Sequence, residues 1–420
     1  MQPSLFHIAK LIVIGKPYKN ILYFCTISQM EKLRVLFYYE NFCGEHSRGG
    51  TEVATARIAR ALRLSGRCEV FCAYRRGNAT EPNPYDATIR LHGSGRKFAD
   101  ELAGFIRSRR IDAVVNMGRF FRQVRLKQAI EKSGRNVSLI FMHHFAPGSE
   151  NRKVTWSAAW RLIRLDPLRL RYWLRLAFYP LVRLPRRLGL AKIYRKVYSM
   201  SDATVLLSPN YIDEYAALAG IEDKSRFAAI PNIFESEAQE ESPRKEKRVL
   251  ILSRMDELQK RISLALRVWA EVEKDDELTD WHLDIVGSGS DMRGLRRLAD
   301  ALGLQRATFH GWQDSRPYMR RSAIFMMTSA YEGLPLSMIE ALNYGAVPIA
   351  FNSFSSLSDI ITGGGAGVAV DEEGGVEAFA EALRKLMRRP LPEISAARPD
   401  AFTPEAVATR WLDLLSSLRN

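Results

Sequence analysis

Residues 324–350 read IFMMTSAYEGLPLSMIEALNYGAVPIA, and the fold follows from how this stretch divides. Ile324–Thr328 is an apolar run of strand type, closed off by the turn residues Gly333 and Pro335. The run from Pro335 to Tyr344 predicts a helix, with Pro335 fitting the first helical position and Gly345 the end. A second strand-like run, Val347–Ala350, begins two residues later. Strand, helix and strand joined this tightly form the repeating unit of a parallel sheet.

The same alternation extends in both directions. Upstream lie strand Arg248–Ser253, helix Arg261–Glu273, strand His282–Val286, helix Asp291–Leu302, strand Ala307–His310 and a helix near Arg316–Ser322. Downstream, an amphipathic helix is expected over about Pro404–Leu418. The first half repeats the theme with strand Val35–Tyr39 and helix Thr51–Leu64, whose Val53, Ala56, Ile58, Ala59 and Leu62 keep a helical period. Strands Glu69–Ala73, Ala113–Asn116, Ser138–Met142 and Ala203–Ser208 follow, with helices Asp100–Arg107 and Arg122–Lys132 between them. Residues 235–247, ESEAQEESPRKEK, contain no bulky aliphatic or aromatic side chain and read as a linker. The expected plan is an extension at 1–29, a first domain at 30–235, a linker at 236–247, a second domain at 248–403 and a terminal helix at 404–420. The fold class is α/β, with two Rossmann-like, doubly wound domains facing a central cleft. Ligands in such sheets bind beyond the carboxyl ends of the strands.

The 420 residues are 46% hydrophobic and 26% charged, which excludes a disordered chain. Four cysteines are too few for a disulfide scaffold, and a reducing, intracellular compartment is the economical expectation. The formal net charge is +15, but it is not spread evenly. Residues 161–198 hold eleven Lys/Arg against Asp166 alone, and residues 1–29 add three lysines without an acid. The remaining chain is nearly neutral. The basic segment interleaves its cations with Trp173, Tyr172, Phe178, Tyr179 and several leucines, the mixture an interfacial helix uses against lipid phosphates. Pro180 and Pro185 suggest two short helices there. A core-packed insert with snorkelling arginines is the plainer alternative. No recognised nucleic-acid module accompanies the patch, so nucleic acid is not expected as a partner. Lys10, Lys16, Lys19 and Pro17 break up the apolar residues near the amino terminus, and Met30 precedes the first strand, so 1–29 is expected to add nothing to the fold.

The chemistry concentrates at Glu332–Glu340. The amides of Gly333 and Leu334, with Pro335 and Leu336 opening the helix, form an anion site suited to a diphosphate. Glu332 just before the helix suits hydroxyls beyond the phosphates. Glu340 lies roughly 7 Å farther along the axis at ~1.5 Å per residue, and suits a ribose diol. Two acids flanking a phosphate site match a sugar nucleotide. An ordinary helix entry with two solvated acids is the bland alternative.

Glu332-x7-Glu340, with Gly333 and Pro335 inside it, resembles the motif of retaining glycosyltransferases with two Rossmann-like domains, the GT-B family 4 type (glycosyl transferases group 1). The resemblance runs from about Arg34 to Leu418 and is strongest at 248–370. It implies that Arg254 and Lys260 bind the donor diphosphate and stabilise the departing nucleotide, and that Gly287 belongs to the glycine turn under the nucleotide. It also implies that Gly49 and Gly50, in the Arg48–Glu52 loop, face the donor phosphate or acceptor, and that a histidine, His143 in preference to His144, lies beside the transferred sugar. The donor implied is a UDP- or GDP-sugar and the acceptor a glycan or glycolipid, with no metal or other cofactor. Arg254, Lys260 and helix dipoles stand where an Asp-x-Asp metal motif is absent. The expected setting is bacterial cell-surface polysaccharide synthesis, cytoplasmic and peripheral on the inner face of the membrane through 161–198. The rivals are a nucleotide-sugar epimerase of similar fold and a catalytically silent membrane-associated partner.

Overall fold

In the computed structural model, the described residues are 31–44, 47, 49–80, 82–152, 155–168, 170–234, 245–361, 367–391 and 400–419. The extension at 1–29, Arg48 and most of the expected linker lie outside them. The first lobe opens with β1 (Leu33–Tyr38), α1 (Gly50–Leu64), β2 (Cys68–Tyr74), β3 (Ala87–Arg90), α2 (Arg96–Ser108), β4 (Ala113–Asn116), α3 (Arg122–Ser133) and β5 (Ser138–His143). A helical insert follows as α4 (Ser149–Arg152), α5 (Trp156–Leu165), α6 (Leu170–Ala177) and α7 (Tyr179–Met200). The lobe continues with β6 (Ala203–Leu206), α8 (Asn210–Ala219) and β7 (Phe227–Ala229). The second lobe comprises β8 (Glu246–Leu252), α9 (Glu257–Lys260), α10 (Ile262–Val272), β9 (His282–Val286), α11 (Met292–Ala301), β10 (Ala307–Gly311), α12 (Arg316–Arg321) and β11 (Ser322–Met327). It ends with α13 (Leu336–Asn343), β12 (Val347–Phe351), α14 (Leu357–Ile361), β13 (Val368–Val370) and α15 (Gly375–Met387), before α16 (Pro404–Ser417) closes the chain.

Both sheets are parallel throughout. The first has the order β3-β2-β1-β4-β5-β6-β7 and the second β10-β9-β8-β11-β12-β13. Chain direction across each sheet reverses between its first strand and the next strand on the other side, at β1/β4 and β8/β11. A crevice opens at such a switch point, and in the second sheet the loops flanking it are 253–256 and 328–335. These carry Arg254 and Glu332.

Several expectations need correction. Strand β8 starts at Glu246, inside the stretch expected as linker. The short edge strands β3, β7 and β13 have no counterpart in the sequence reading. Helix α7 runs 22 residues straight through Pro185. An interior proline removes one helical hydrogen bond, and the buried face of Leu190, Tyr194, Val197 and Tyr198 on the same helix offsets that loss. The terminal helix α16 packs on α1, and its buried Trp411 meets Phe37 of β1 edge-on at 6.3 Å, so it completes the first lobe's core.

The basic segment is neither fully solvated nor fully packed. Helix α5 docks against α9 and α11 of the second lobe, and Leu165 joins that lobe's apolar core. Gly294 on α11 admits this contact, since a Cβ there would lie 2.8 Å from the Leu165 Cγ. Arg297–Asp166 (3.2 Å) and Tyr172 Oη to Asp291 (3.2 Å) reinforce it. On the other side Trp156, Trp160, Trp173, Leu174 and Phe178 remain exposed.

Candidate active site

Helix α9 ends at Arg261, which adopts a left-handed conformation (φ 49°) and turns the chain back into α10. The guanidinium of Arg261 holds that strained position by donating to the carbonyls of Thr328 (2.7 Å) and Ser329 (2.8 Å). Thr328 Oγ1 in turn donates to the Lys260 or Arg261 carbonyl, each at 3.1 Å, and the Ala330 amide donates to the Gln259 carbonyl at 2.7 Å. The loops after β8 and β11 are thereby knitted into one unit.

This places the predicted cations and the first predicted acid together. Lys260 Nζ lies 2.5 Å from Glu332 Oε1, and both side chains are largely shielded from water. Gln259 Nε2 donates to the other carboxylate oxygen at 3.2 Å while its Oε1 accepts from Arg254 Nη2 at 2.9 Å. An unbroken chain of contacts therefore runs Arg254–Gln259–Glu332–Lys260. The guanidinium of Arg254 is mostly exposed.

The loop preceding α13 is anchored through its carbonyls. Tyr211 Oη of the first lobe donates to the Glu332 carbonyl (2.8 Å), and Ser356 Oγ donates to the Gly333 carbonyl (2.6 Å). Asn232 Nδ2 donates to the Leu334 carbonyl (3.3 Å). A planar trans peptide points its C=O and N–H in opposite directions. The amides of Gly333 and Leu334 therefore face away from the Tyr211–Ser356 pair. Pro335 is the N-cap and not the first helical residue, so α13 begins at Leu336. Gly345 ends it at φ +77°, as its position in the sequence implied.

Two glycines act through close approach. A Cβ on Gly333 would lie 2.0 Å from the carbonyl oxygen of His144, so this loop touches the end of β5 in the first lobe. A Cβ on Gly287 (φ +134°) would lie 1.9 Å from the Ser253 carbonyl oxygen. Gly287 thus supports the backbone that carries Arg254. Gly49 is the N-cap of α1 and is covered by the Glu52 carboxylate, whereas Gly50 opens onto free space.

The two histidines separate. His143 is enclosed by Phe120, Phe141, Tyr194 and Tyr215, with its Nε2 3.2 Å from Tyr194 Oη. Burial pushes its imidazole down to about 3. Burial likewise lowers His144, to about 4, and its Nε2 is shut away without a hydrogen-bond partner. His144, whose backbone meets Gly333, is the one at the junction of the lobes.

Glu340 pairs across the cleft with Arg57 on α1, at 3.0 Å. Arg57, Gln259, Tyr211, Asn232 and Ser356 are positioning groups that sequence reasoning missed. Nothing in the helical period of α1 distinguishes Arg57 from a solvated residue. Among the described residues, no group of three or more His, Cys, Asp or Glu is arranged to hold a metal ion.

Residues 246–389 match the family model described as glycosyl transferases group 1. The chain is 30% identical over 180 residues to the amylovoran biosynthesis glycosyltransferase AmsD of Erwinia amylovora, covering 41% of this chain and 49% of that protein. It is 34% identical over 92 residues to a lipopolysaccharide 1,6-galactosyltransferase of Salmonella typhimurium, covering 20% and 25% of the two. The matched stretch thus spans about half or less of these relatives' length. The fold is similar to that of the lipopolysaccharide outer core galactosyltransferase WaaB, with a TM-score of 0.65 at 17% identity over 92% of this chain and 99% of that one. It is also similar to Anabaena Alr3699/HepE in complex with UDP and glucose, with a TM-score of 0.61 at 13% identity over 92% and 97%. The chain has the GT-B fold, and residues 246–389 are similar to the group 1 glycosyltransferases.

Proposed function

We propose that the protein is a retaining, metal-independent glycosyltransferase moving a sugar from a UDP- or GDP-sugar to a hydroxyl of a glycan or lipid-linked acceptor in bacterial surface-polysaccharide assembly. The observation that carries this reading is the Arg254–Gln259–Glu332–Lys260 chain beside the outward amides of Gly333 and Leu334. Two cations and two amides suit a diphosphate, and the neighbouring carboxylate suits sugar hydroxyls. In the proposed step the bond from the anomeric carbon to the phosphate oxygen breaks while the acceptor oxygen adds on the same face. The acceptor proton passes to the departing phosphate oxygen, and configuration is kept. Arg254 and Lys260 stabilise charge building on that oxygen, where fixed cations contribute most to lowering the barrier. Glu340 takes the nucleotide ribose, and Gly49 and Gly50 line the facing loop. His144 lies nearest the transferred sugar, with His143 supporting it from the aromatic cage.

The site would work at the inner face of the membrane. In support, α5 and α6 expose Trp156, Trp160 and Trp173 on a segment rich in cations, and among the described residues no helix is long and apolar enough to cross a membrane. Replacing Trp160 and Trp173 by Ser should then reduce co-sedimentation with anionic vesicles.

The test of the activity is a panel of nucleotide sugars against the full chain. One of them should raise the melting temperature, because a ligand at 100 times its dissociation constant stabilises the native state by about 2.7 kcal/mol. Lys260→Met should abolish that rise. No shift with any UDP- or GDP-sugar, or an equal shift in the variant, would refute the assignment.

A further inference from the structure

A cavity of about 600 Å³, lined by neither Arg254 nor Lys260, lies between the start of α5 and the loops after β12 and β13. Thr155 and Arg161 line it from the insert, and Arg261, Asn352, Ser353 and Glu372 from the second lobe. Its lining is mostly hydroxyl, amide and charged groups. The two guanidinium groups differ in how they are occupied. Arg261 is held by the Thr328 and Ser329 carbonyls and by Glu372 at 2.6 Å. Arg161 is not held in this way. Its Nε is buried without a hydrogen bond and lies 4.0 Å from Glu257, its ion-pair neighbour among the described residues, while the side chain as a whole keeps 31% of its surface exposed. Glu257 is itself fully buried behind the cavity wall, where Ser263 donates to both carboxylate oxygens through Oγ (2.6 Å) and its amide (3.0 Å). A half-buried guanidinium without a close acceptor, facing a polar space of this size, is an incomplete anion site.

We propose that this cavity receives an anionic sugar group, phosphate or carboxylate, carried by the acceptor, with Arg161 as its charge partner. The identification as an acceptor group rests on the glycosyltransferase reading above; the anion site itself does not. Sequence neighbours connect the cavity to the chemistry, because Arg261 follows Lys260 and Ala330, also in the lining, precedes Glu332 by two residues. The adjoining face of α5 exposes Trp156 and Trp160, so a lipid chain on such an acceptor would find apolar surface beside the rim.

The experiment titrates the full chain, with and without saturating UDP, with glucose 1-phosphate, glucuronate, octyl phosphate below its micelle concentration, and glucose. Arg161→Gln should weaken the anionic probes about tenfold and leave UDP unchanged, while Arg161→Lys keeps most of the affinity. Asn352→Asp, on an exposed loop, should repel the same probes and keeps the test valid if Arg161→Gln misfolds. Tighter octyl phosphate than glucose 1-phosphate would assign the anion to a lipid-linked acceptor, and the reverse order to a glycan. Equal binding of glucose and glucose 1-phosphate, displacement of the probes by UDP, or unaltered binding in both Arg161→Gln and Asn352→Asp would overturn the proposal. Failure of both UDP and GDP to bind, with the anionic probes still sensitive to Arg161, would strike the donor reading and leave the anion site standing.

Discussion

Gly333→Ala isolates the contact on which the site depends. The added Cβ would sit 2.0 Å from the His144 carbonyl oxygen, 2.8 Å from its carbon and 3.0 Å from Leu207 Cδ1. Side-chain carbons do not approach backbone oxygen closer than about 3.0 Å, so the two loops must part by about 1 Å. Neither is soft. Gly333 follows Glu332, which Lys260 and Gln259 tie to the second lobe, and His144 follows β5 in the first. Overpacking of this kind costs about 1–3 kcal/mol of stability. A 1 Å displacement of positioned groups costs on the order of a hundredfold in rate. Turnover, followed as release of nucleoside diphosphate from the donor, should therefore fall about a hundredfold. Nucleotide affinity, which the proposed function places on the second lobe, should change by no more than a few-fold. Gly104→Ala, inside α2, is the control, since its Cβ meets nothing within 4 Å. Removing a glycine there should raise stability by about 0.5–1 kcal/mol. Full turnover and an unaltered melting temperature in Gly333→Ala would refute the argument that this glycine is needed for lobe contact.

Lys260→Met leaves the shielded Glu332 carboxylate with Gln259 alone, and breaking such a pair costs about 3–5 kcal/mol. The double variant Lys260→Met/Glu332→Gln should regain most of that in denaturant titration without regaining donor binding. Glu340→Gln should weaken UDP or GDP binding in calorimetry, with some loss of stability because Arg57 loses its partner across the cleft; unchanged nucleotide affinity would remove Glu340 from the ribose site. The histidine pair fixes a pH dependence. Burial holds His143 at about 3 and His144 at about 4, against ~6.5 unfolded. Stability is therefore complete above pH 6.5 and falls as pH drops toward 4, because only the unfolded chain takes up protons in that window. The slope is about 1.4 kcal/mol per pH unit for each histidine. Denaturant midpoints at pH 7 and pH 5 measure it, and His144→Gln should remove about half.

The repeating parallel units were readable because each announces itself locally, by an apolar run, a Gly or Pro turn and a helical period. The short edge strands β3, β7 and β13 were not, since three or four partly buried residues such as Phe227–Ala229 carry no clear period. Glu332 and Glu340 were singled out by motif spacing and Arg254 and Lys260 by the family resemblance, and the structure gathers Arg254, Lys260 and Glu332 in one chain of contacts. Gln259 was not, although it bridges Arg254 to Glu332, because its role comes from a short helix folding back on a loop 72 residues away. The preference for His143 over His144 rested on its directly following the strand, whereas the strand includes it. β5 includes His143 and points its ring into an aromatic cage, which the sequence of the distant Tyr194 and Tyr215 could not announce. The basic insert misled in another way. Its composition shows a membrane-type face, but the docking face of α5 depends on Gly294, which reads as an ordinary helix glycine.

The charges at the cleft suggest how it stays folded and still binds. A shielded acid or cation without a partner is strongly destabilising, yet a site for a sugar nucleotide needs both. Here each proposed ligand-binding acid has an internal cation: Lys260 for Glu332 and Arg57 for Glu340. A diphosphate arriving at Arg254 and Lys260 offers the ammonium a replacement anion, while sugar hydroxyls offer Glu332 replacement donors. Gln259 keeps one donor on the carboxylate throughout, but that single hydrogen bond does not replace the lost cation. The exchange substitutes one set of charge-assisted hydrogen bonds for another, and its net cost is small only when phosphate and hydroxyls arrive on the same molecule. Pyrophosphate alone satisfies the cation and strands the acid; a free sugar does the reverse. Selectivity for the joined molecule thus arises from the pairing itself, without requiring any part of the cleft to recognise the whole ligand at once.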